Sequence, residues 1–327
     1  MRAAYYDRLG PAREVLQLGD LPLPEPAPGE VRVRVRVSGV NPSDVKMRLG
    51  TGSAAAQYPR IVPHSDGAGE IDAVGTGVDR RRLGQRVWLW NARWNRPFGT
   101  CAEFVVLPEA QAVPLPPGTD FDAGACLGIP ALTAWQAIAT DGGCAGGTVL
   151  VQGGAGAVGH YAIQIAKLQG ARVIATVSGS EKAAIAAAAG ADVTVDYKRE
   201  DVVARIRDIT GGRGVDRVVE VDLAANNKWL PRVVADYGLI VVYGSGAREV
   251  PVSFGDSILG NIGYRFFIVY NQPPELRQRA LDEMTRLLEA KRLHHAIGAR
   301  FTLEQVAEAH AAVESGRVTG NVVVTIG

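Results

Sequence analysis

Alternating hydrophobic and polar positions dominate the first part of the chain. Between residues 31 and 37, valine occupies every odd position and arginine every even one. A period of two places all the valines on one face of a β-strand and predicts that this face is buried. The arginines then form a solvated sheet face, which the alternation alone supports better than an anion site. Short apolar runs separated by glycine turns continue this β-rich pattern to about residue 124.

From about residue 125 the pattern changes to alternating strand-like and helix-like segments. Four or more strand–helix units follow one another between residues 147 and 244. This order predicts an α/β unit whose parallel sheet is covered by helices on both faces. Two further helices, over residues 274–291 and 303–316, and a last strand, over residues 321–326, complete the prediction.

Composition narrows the class of protein. Of 327 residues, 47% are apolar and 21% are charged, which is typical of a globular protein with a sizeable core. The net charge of +1 gives no support to nucleic-acid binding or to attraction by a membrane. Three cysteines, Cys101, Cys126 and Cys144, match neither a disulfide framework nor a zinc cluster. Without a secretory signal or an apolar run of about 18 residues, we expect a soluble cytoplasmic protein.

A glycine-rich turn lies between a predicted strand and a predicted amphipathic helix. Gly154, Gly156 and Gly159 give the spacing GxGxxG, which in this context is typical of a dinucleotide-binding turn. Gly156 lets a pyrophosphate approach the backbone, and Gly159 lets the helix pack closely on the strand. The free N–H groups and the positive end of the helix dipole would face that anion. The predicted cofactor-binding residues of the turn are Gly154, Ala155, Gly156, Ala157, Val158 and Gly159.

The acid that usually holds the ribose of NAD is absent from this chain. A carboxylate is expected about 20 residues after the last turn glycine, but the second strand ends in Ser178, Gly179 and Ser180, with Lys182 close behind. Hydroxyls, an amide and an ammonium would bind a 2′-phosphate that a carboxylate would repel. Tyr197, after the third strand, offers a further hydroxyl, so we predict NADPH rather than NADH. Alternatively, these residues are an exposed helix start with Ser180 as the N-cap.

The motifs in series resemble those of the medium-chain dehydrogenase/reductase superfamily, specifically its zeta-crystallin-like quinone oxidoreductases. The matching segments span residues 39–44, 63–78, 99–109, 127–135, 151–159 and 315–324. The resemblance implies an α/β fold in which a GroES-like, β-rich catalytic domain, residues 1–124 and 269–327, is interrupted by a Rossmann domain, residues 125–268. It also implies an active site in the cleft between the domains, a homodimer, and an NADPH site that uses Lys182 and Tyr197.

The resemblance extends to alcohol dehydrogenases that bind zinc, but the ligand positions differ. The first zinc-binding cysteine is replaced by Asn41, the Gly-His-Glu motif by His64, Ser65 and Asp66, and the second cysteine by Ile129. Zinc needs about three good N, O or S ligands besides water. Asp66 alone cannot hold it, and His64, which we interpret as a turn histidine, lacks a His or Cys partner. We therefore predict no metal.

Without a Lewis acid, nothing would stabilise the alkoxide of an unactivated alcohol. A quinone or an α,β-unsaturated carbonyl delocalises the charge that arrives with a hydride. The protein then needs only to position the nicotinamide and to supply a proton or hydrogen bond. We therefore expect a zinc-independent, NADPH-dependent reductase of a small quinone or enone.

Three residues are predicted to be catalytic from the resemblance. Asn41 matches an asparagine beside the nicotinamide and would hydrogen-bond the ribose or the acceptor oxygen, although an Asn-Pro turn also explains it. Thr133 matches a threonine near the nicotinamide, or packs inside a helix. Lys46 stands where many relatives carry a tyrosine; it can replace the phenol as a donor, which leaves the choice between quinone and enone open.

Further cofactor contacts are predicted after the later strands. Gly244 and Ser245 follow a predicted strand, and ligands bind beyond the carboxyl ends of parallel strands. Asn321 lies where the family's C-terminal stretch approaches the cofactor. A third predicted segment consists of Phe266, Phe267 and Ile268. Its backbone either contacts the carboxamide of the nicotinamide or forms a strand in a sheet shared by a dimer.

Other interpretations of the sequence stay open. An enoyl-thioester reductase on the same scaffold would need basic residues for a CoA or carrier phosphate, and Arg93, Arg96 and Arg265 are candidates. A non-catalytic NADPH-binding protein, crystallin-like or RNA-binding, is an alternative of a different class. The aromatic residues that would line an acceptor pocket, or pack in the core, are Trp88, Trp90, Trp94 and Tyr270.

Overall fold

The structure, a computed structural model, describes residues 1–51 and 58–327. These residues form two compact units. The first unit combines both ends of the chain, residues 1–130 and 277–327, and the second is contiguous, residues 131–276. Each unit contains its own main β-sheet.

The elements are numbered in chain order across both units. The strands are β1 (Arg2–Tyr5), β2 (Gln17–Asp20), β3 (Glu30–Val40), β4 (Asp66–Val74), β5 (Arg86–Leu89), β6 (Phe104–Pro108), β7 (Ala112–Pro114), β8 (Thr148–Val151), β9 (Arg172–Val177), β10 (Val193–Asp196), β11 (Val215–Glu220), β12 (Val234–Val242), β13 (Gly263–Phe266), β14 (Ile297–Thr302) and β15 (Asn321–Thr325). The α-helices are α1 (Ala12–Val15), α2 (Pro42–Leu49), α3 (Phe121–Gly124), α4 (Leu132–Ala139), α5 (Ala157–Leu168), α6 (Ser180–Ala188), α7 (Val202–Ile209), α8 (Leu223–Asn226), α9 (Phe254–Leu259), α10 (Pro274–Glu289) and α11 (Val306–Glu314). Within the described ranges, no helix is both long and apolar enough to cross a bilayer.

The first unit is built on a mainly antiparallel sheet. In its described residues the strand order is β14-β15-β3-β4-β5-β7, with β6 paired to β3. The valines of β3 are buried, with Val31, Val33 and Val35 at most 2% exposed. On the opposite face, Arg32 pairs with the carboxylate of Asp72 at 3.0 Å. The predicted half-buried strand is confirmed, but of the arginine face that was expected to be solvated only Arg34 is exposed, whereas Arg32 and Arg36 are partly buried in ion pairs.

The second unit is built on a parallel sheet with the strand order β10-β9-β8-β11-β12-β13. All five pairings are parallel. Apolar side chains of the central strands, such as Leu150, Val218 and Ile240, are fully buried, because both faces of the sheet are covered. The predicted parallel α/β unit is confirmed. Since all strands run in one direction, their carboxyl ends lie along one edge, which collects the loops that follow them.

Strand β13 forms an open edge of this sheet and is accompanied by exposed apolar side chains. Phe266 at its end is 60% exposed. In α9, which precedes β13 in the chain, Phe254 is 74% exposed and Leu259 is 83% exposed. Large exposed apolar side chains beside an unpaired strand edge are typical of a surface that another chain covers.

Candidate active site

The glycine-rich turn joins the carboxyl end of β8 to α5. Two of its glycines are required by close packing. A Cβ atom on Gly159 would lie 2.3 Å from the carbonyl oxygen of Gly153, and one on Gly154 would lie 2.7 Å from Cβ of Ala175. A Cβ on Gly156, the N-cap of α5, would meet only the oxygen of Gly153, at 3.2 Å. Gly156 is therefore the glycine that leaves the backbone open to a ligand.

Two buried side chains hold the glycine turn in place. Oγ1 of Thr176 accepts the N–H of Gly153 at 3.1 Å and donates to Oε1 of Gln152 at 2.6 Å. The backbone of Thr176 also accepts the N–H of Gly154, at 3.0 Å. Neither Thr176 nor Gln152 was predicted from the sequence. A lone hydroxyl inside the apolar strand β9 was the available signal.

The residues predicted to bind a 2′-phosphate lie between β9 and α6. The N-cap of α6 is Gly179, with φ +140°, and the helix begins at Ser180. The interpretation of Ser180 as the N-cap is therefore wrong, because this residue already has helical geometry. Lys182, in the first turn of α6, forms no ion pair with any residue of the described ranges.

Tyr197 is placed beside this segment by the pairing of β9 and β10. Its N–H donates to the carbonyl of Val177 at 3.1 Å, directly before Ser178. The phenol side chain is 50% exposed. Hydroxyl groups, a helix N-terminus and an ammonium thus share one edge of the sheet, and this combination favours an anion.

Glu220 places a buried carboxyl at the carboxyl end of β11. Its Oε1 accepts the N–H of Asp222 at 2.5 Å and an amide hydrogen of Asn226 at 3.0 Å. In the described part of the chain, Oε2 has no hydrogen-bond partner, and neither has Nε2 of Gln152, which directly follows the adjacent strand β8. Burial raises the pKa of Glu220 to about 7. Glu220 was not predicted from the sequence, although an acid closing a central strand was a usable signal.

The later predicted contacts follow the carboxyl ends of β12 and β13. Gly244 lies so close to Val221 that a Cβ atom would be 2.2 Å from its carbonyl oxygen. The hydroxyl of Ser245 donates to the carbonyl of Ala247 at 2.8 Å and so stabilises the turn. Beyond β13, the N–H of Phe267 donates to the carbonyl of Val242 at 3.2 Å, and Ile268 follows. These segments therefore share the edge of the sheet that carries the glycine turn. Thr133 belongs to the same unit and is buried in α4, at 4% exposure.

Asn41 occupies a second polar cluster, in the first unit. It is the N-cap of α2 and forms a capping box with Asp44, whose Oδ2 accepts the Asn41 N–H at 2.9 Å. The Asn41 amide donates to Oδ2 of Asp66 at 2.8 Å, and the N–H of Ile129 donates to the same oxygen at 2.9 Å. Burial raises the pKa of Asp44 to about 7 and holds the pKa of Asp66 well above its usual range.

The residues at the zinc-ligand positions converge but do not suit zinc. Oδ2 of Asp66 already accepts hydrogen bonds from the Asn41 amide and from the N–H of Ile129. Both ring nitrogens of His64 are also engaged, Nδ1 with Ser38 at 2.8 Å and Nε2 with His310 at 2.9 Å. The described residues contain no group of three or more His, Cys, Asp or Glu side chains able to hold a metal ion. The donor set therefore does not fit the metal that related folds carry.

The other predicted residues of the first unit have distinct surroundings. Lys46 is exposed on α2, the helix that Asn41 caps. Asn321 donates both its backbone N–H and its side-chain amide to the carbonyl of Ala296, at 2.8 and 3.0 Å. Trp88 is fully buried in β5, so the interpretation of this residue as the wall of an acceptor pocket is wrong.

Comparisons with known proteins agree with this architecture. A family model described as "Alcohol dehydrogenase GroES-like domain" matches residues 27–117, and one described as "Zinc-binding dehydrogenase" matches residues 157–286. A solved structure titled as an NAD-dependent alcohol dehydrogenase is 34% identical, with a TM-score of 0.90 and full coverage of both chains. A mycobacterial protein solved in complex with NADPH is 28% identical, with a TM-score of 0.89 and full coverage of both chains. The class that this fold defines is the medium-chain dehydrogenase/reductase superfamily.

A curated relative narrows this class. The quinone oxidoreductase of Pseudomonas aeruginosa is 35% identical over 268 residues, which are 79% of this chain and 80% of that protein. The chain belongs to the quinone oxidoreductases of the medium-chain dehydrogenase/reductase superfamily. The predicted family and the predicted fold class, a GroES-like unit with a Rossmann-type parallel sheet, are thereby confirmed.

The glycine turn allows a matched pair of substitutions. We expect Gly159→Ala to destabilise the protein by about 2 kcal/mol, because the new methyl group would overlap a backbone oxygen. Gly156→Ala should cost less, about 1 kcal/mol, since its φ of −77° suits any residue and the new methyl group would meet one atom only, the oxygen of Gly153 at 3.2 Å. Denaturant unfolding of both variants measures the difference. Equal losses of stability in the two variants would contradict the conclusion that Gly159 is required by close packing and Gly156 is not.

Proposed function

We propose that the protein is a zinc-independent, NADPH-dependent reductase that transfers a hydride to a quinone or an α,β-unsaturated carbonyl. One observation carries this proposal: a hydrogen-bonded Asn41–Asp66 pair stands where related folds bind catalytic zinc. An amide can donate a hydrogen bond to an acceptor oxygen but cannot stabilise a full alkoxide as a metal does. The proposed acceptors need no more than this, because they delocalise the incoming charge.

The second unit would hold the cofactor. The turn from Gly154 to Gly159 and the N-terminus of α5 would bind the pyrophosphate, and Gly156 would give it access to the backbone. Lys182 would bind the 2′-phosphate as an ammonium that pairs with no carboxylate of residues 1–51 and 58–327, with Ser178, Gly179, Ser180 and Tyr197 around it. Bound NADPH supplies the hydride from nicotinamide C4. The segments after β12 and β13, Gly244 to Ser245 and Phe266 to Ile268, would bind its nicotinamide end, with Thr133 and Asn321 as further proposed contacts.

The helix α2 would provide the groups that meet the acceptor. Asn41 is fixed in orientation because its amide donates to Asp66 and its backbone N–H to Asp44. Lys46, exposed on the same helix, would take the part of the absent phenol as a donor of a hydrogen bond or proton. The name of the Pseudomonas aeruginosa relative supports a quinone acceptor, and the NADPH complex of the mycobacterial relative supports the choice of cofactor.

The contacts of the three candidate arginines do not favour an enoyl-thioester reductase. Arg265 forms an ion pair with Asp141 at 3.0 Å. Arg93 is only 5% exposed, and Arg96 donates to the carbonyl of Asn91 at 2.9 Å. A phosphate of CoA would have to displace these partners.

A purified enzyme assay tests the proposed function. We expect NADPH oxidation with 1,2-naphthoquinone, 9,10-phenanthrenequinone or an alkenal, unchanged by a chelator, and little turnover with an enoyl thioester. Parallel assays with NADH and elemental analysis of the protein complete the test. Stoichiometric zinc, or activity that the chelator removes, would exclude the zinc-independent mechanism, and binding without any turnover would favour the non-catalytic alternative.

The charge of Lys182 should set the preference between cofactors. We expect NADPH to bind at least about tenfold tighter than NADH, and Lys182→Ala to narrow the gap by about 1–2 kcal/mol, as one lost charge-assisted hydrogen bond would. Fluorescence titration with both cofactors measures this. Lys167→Ala, at the far end of α5 where Lys167 pairs with Asp192 at 2.9 Å, is the control. If the ratio of NADPH affinity to NADH affinity is unchanged in Lys182→Ala, binding of the 2′-phosphate would be assigned to Tyr197 or Arg199 instead.

We also propose that the protein is a cytoplasmic homodimer joined along the edge strand β13. A second copy of the chain could extend the sheet through the unpaired backbone of β13, and the exposed side chains of α9 would lie beside that seam. The three cysteines are all buried and free, which fits a reducing compartment.

Light scattering tests the dimer. We expect a mass of twice 34.6 kDa for the unmodified protein and a shift toward 34.6 kDa for Leu259→Asp, because a carboxylate would be buried at the seam. Leu83→Asp, at a leucine that is 41% exposed in the first unit, is the control and should leave the mass unchanged. A monomeric wild type would refute the proposal.

A further inference from the structure

An unbroken chain of hydrogen bonds runs through the interior of the first unit. Nε of Arg48 lies 3.4 Å from Nδ1 of His310, whose Nε2 lies 2.9 Å from Nε2 of His64. Nδ1 of His64 lies 2.8 Å from Oγ of Ser38, which lies 2.7 Å from Oγ1 of Thr100. Thr100 then donates to the backbone carbonyl of Asp66 at 2.5 Å. The six residues of this polar chain, Ser38, Arg48, His64, Thr100, Asp66 and His310, are all fully buried.

The groups at the two ends of the polar chain, a guanidinium that can only donate and a carbonyl that can only accept, fix the direction of every hydrogen bond between them. The guanidinium of Arg48 can only donate, so Nδ1 of His310 is bare and its Nε2 carries the proton. Nε2 of His64 must then accept, and its Nδ1–H donates to Ser38. From the opposite end, the carbonyl of Asp66 can only accept, so the hydroxyl of Thr100 donates to it and accepts a hydrogen bond from the hydroxyl of Ser38. Both directions give the same pair of neutral tautomers.

This arrangement is not a path for protons to a substrate. It ends on a backbone carbonyl, which cannot pass a proton on. Protonation of His64 would place two N–H groups face to face between the rings, and protonation of His310 would place its Nδ1–H against the N–H of Arg48. Burial lowers the pKa of His64 to about 3 and holds the pKa of His310 well below its usual range, so both rings stay neutral. The chain can therefore act only by holding its members in place.

The members of the polar chain hold both ends of α2. At the helix N-terminus, Asn41 is bonded to the carboxyl of Asp66, whose own carbonyl ends the chain. At the other end, Arg48 donates to His310 and forms an ion pair with Glu314 at 2.9 Å, both on α11. Arg48 also donates to the carbonyl of Gly10. The helix that carries Asn41 and Lys46 is therefore clamped by one continuous network.

Among the members of the polar chain, His64 has an unusual backbone conformation. Its φ of +76° lies in the left-handed region, which a side chain makes unfavourable. The residue joins the two halves of the polar chain through its two ring nitrogens, so the strained backbone aims the ring between Ser38 and His310. Such strain persists only where the surrounding contacts fix the conformation.

We propose that His64 and His310 are positioning residues, which set the placement of α2 and thereby of the proposed catalytic side chains Asn41 and Lys46. This inference rests on the proposed function for its catalytic consequence but not for the network itself. The planes of the two rings lie within 24° of each other and their centroids are 5.0 Å apart, as an edge-to-edge hydrogen bond between the imidazoles requires. Side chains that could bond only one neighbour would break the chain in two and remove the connection between the contacts that hold the two ends of α2.

The first experiment reads the tautomers of the wild-type protein and needs no substitution. Long-range ¹H–¹⁵N spectra of the imidazoles should show His64 protonated on Nδ1 and His310 protonated on Nε2, both neutral from pH 8 to about pH 5. The opposite tautomer in either ring, or a charged ring within this range, would overturn the proposal.

The second experiment breaks the chain at His64. His64→Asn tolerates a left-handed backbone but is too short to bond both Ser38 and His310. We expect hydrogen exchange of residues 42–49 to accelerate, kcat to fall about ten- to a hundredfold, and NADPH affinity to stay within about twofold. Lys291→Gly is the control, since Lys291 is exposed, has φ +51° and lies outside the network.

The outcomes separate this inference from the proposed function. Unchanged exchange in α2 together with unchanged kcat in His64→Asn would overturn the positioning role. If His64→Asn fails to fold, Ser38→Ala breaks the same chain one step further on and is measured in the same way. A wild-type enzyme without any turnover would refute the proposed function, and the tautomers and the exchange of α2 would then decide this inference alone.

Discussion

The proposed cofactor site of the second unit depends on the positive charge of Lys182, an ammonium that forms no ion pair within the described residues. The parallel sheet brings the N-termini of α5 and α6 to one edge, where both helix dipoles present positive ends. Lys182 adds a full charge that no carboxylate of the described residues neutralises at contact distance, whereas Lys167 at the far end of α5 has an acid partner. The proposed NADPH, with its 2′-phosphate, would supply negative charge at this edge.

Burial is the corresponding constraint in the first unit. Asn41 lies between two carboxyls, Asp44 and Asp66, whose pKa values are raised because neither is solvated. Asn41 donates its side-chain amide to Asp66 and its backbone N–H to Asp44, so it is held in place without a metal ion. Many relatives of this fold use zinc to fix the same position. In the proposed reaction the oxyanion is dispersed over the acceptor, so a rigid donor is sufficient.

The elements could be predicted from the sequence where a period or a spacing carried the signal. The valines of β3 and the GxGxxG turn defined a buried face and a strand–helix junction, and the structure has both. The polar chain could not be found in this way, because its contacts join residues far apart in sequence: His64 and His310 are separated by 246 positions. His64 was interpreted from the sequence as a turn histidine without a His partner. The tertiary structure instead buries it between Ser38 and His310. The cap of α6 was misplaced by one residue, since Gly179 adopts a conformation that Ser180 would resist.

The split of the first unit between the two ends of the chain constrains the order of folding. During synthesis, residues 131–276 leave the ribosome as a complete, contiguous body before β14 and β15 exist. Strand β3 cannot gain its neighbour β15, nor His64 its partner His310, until residues 310 to 325 have been made. The N-terminal strands of the first unit therefore remain incompletely paired while residues 131–276 and the segments after them are synthesised. Long-range closure of this kind is slow, so nascent chains would depend on chaperones to protect the exposed edge of β3.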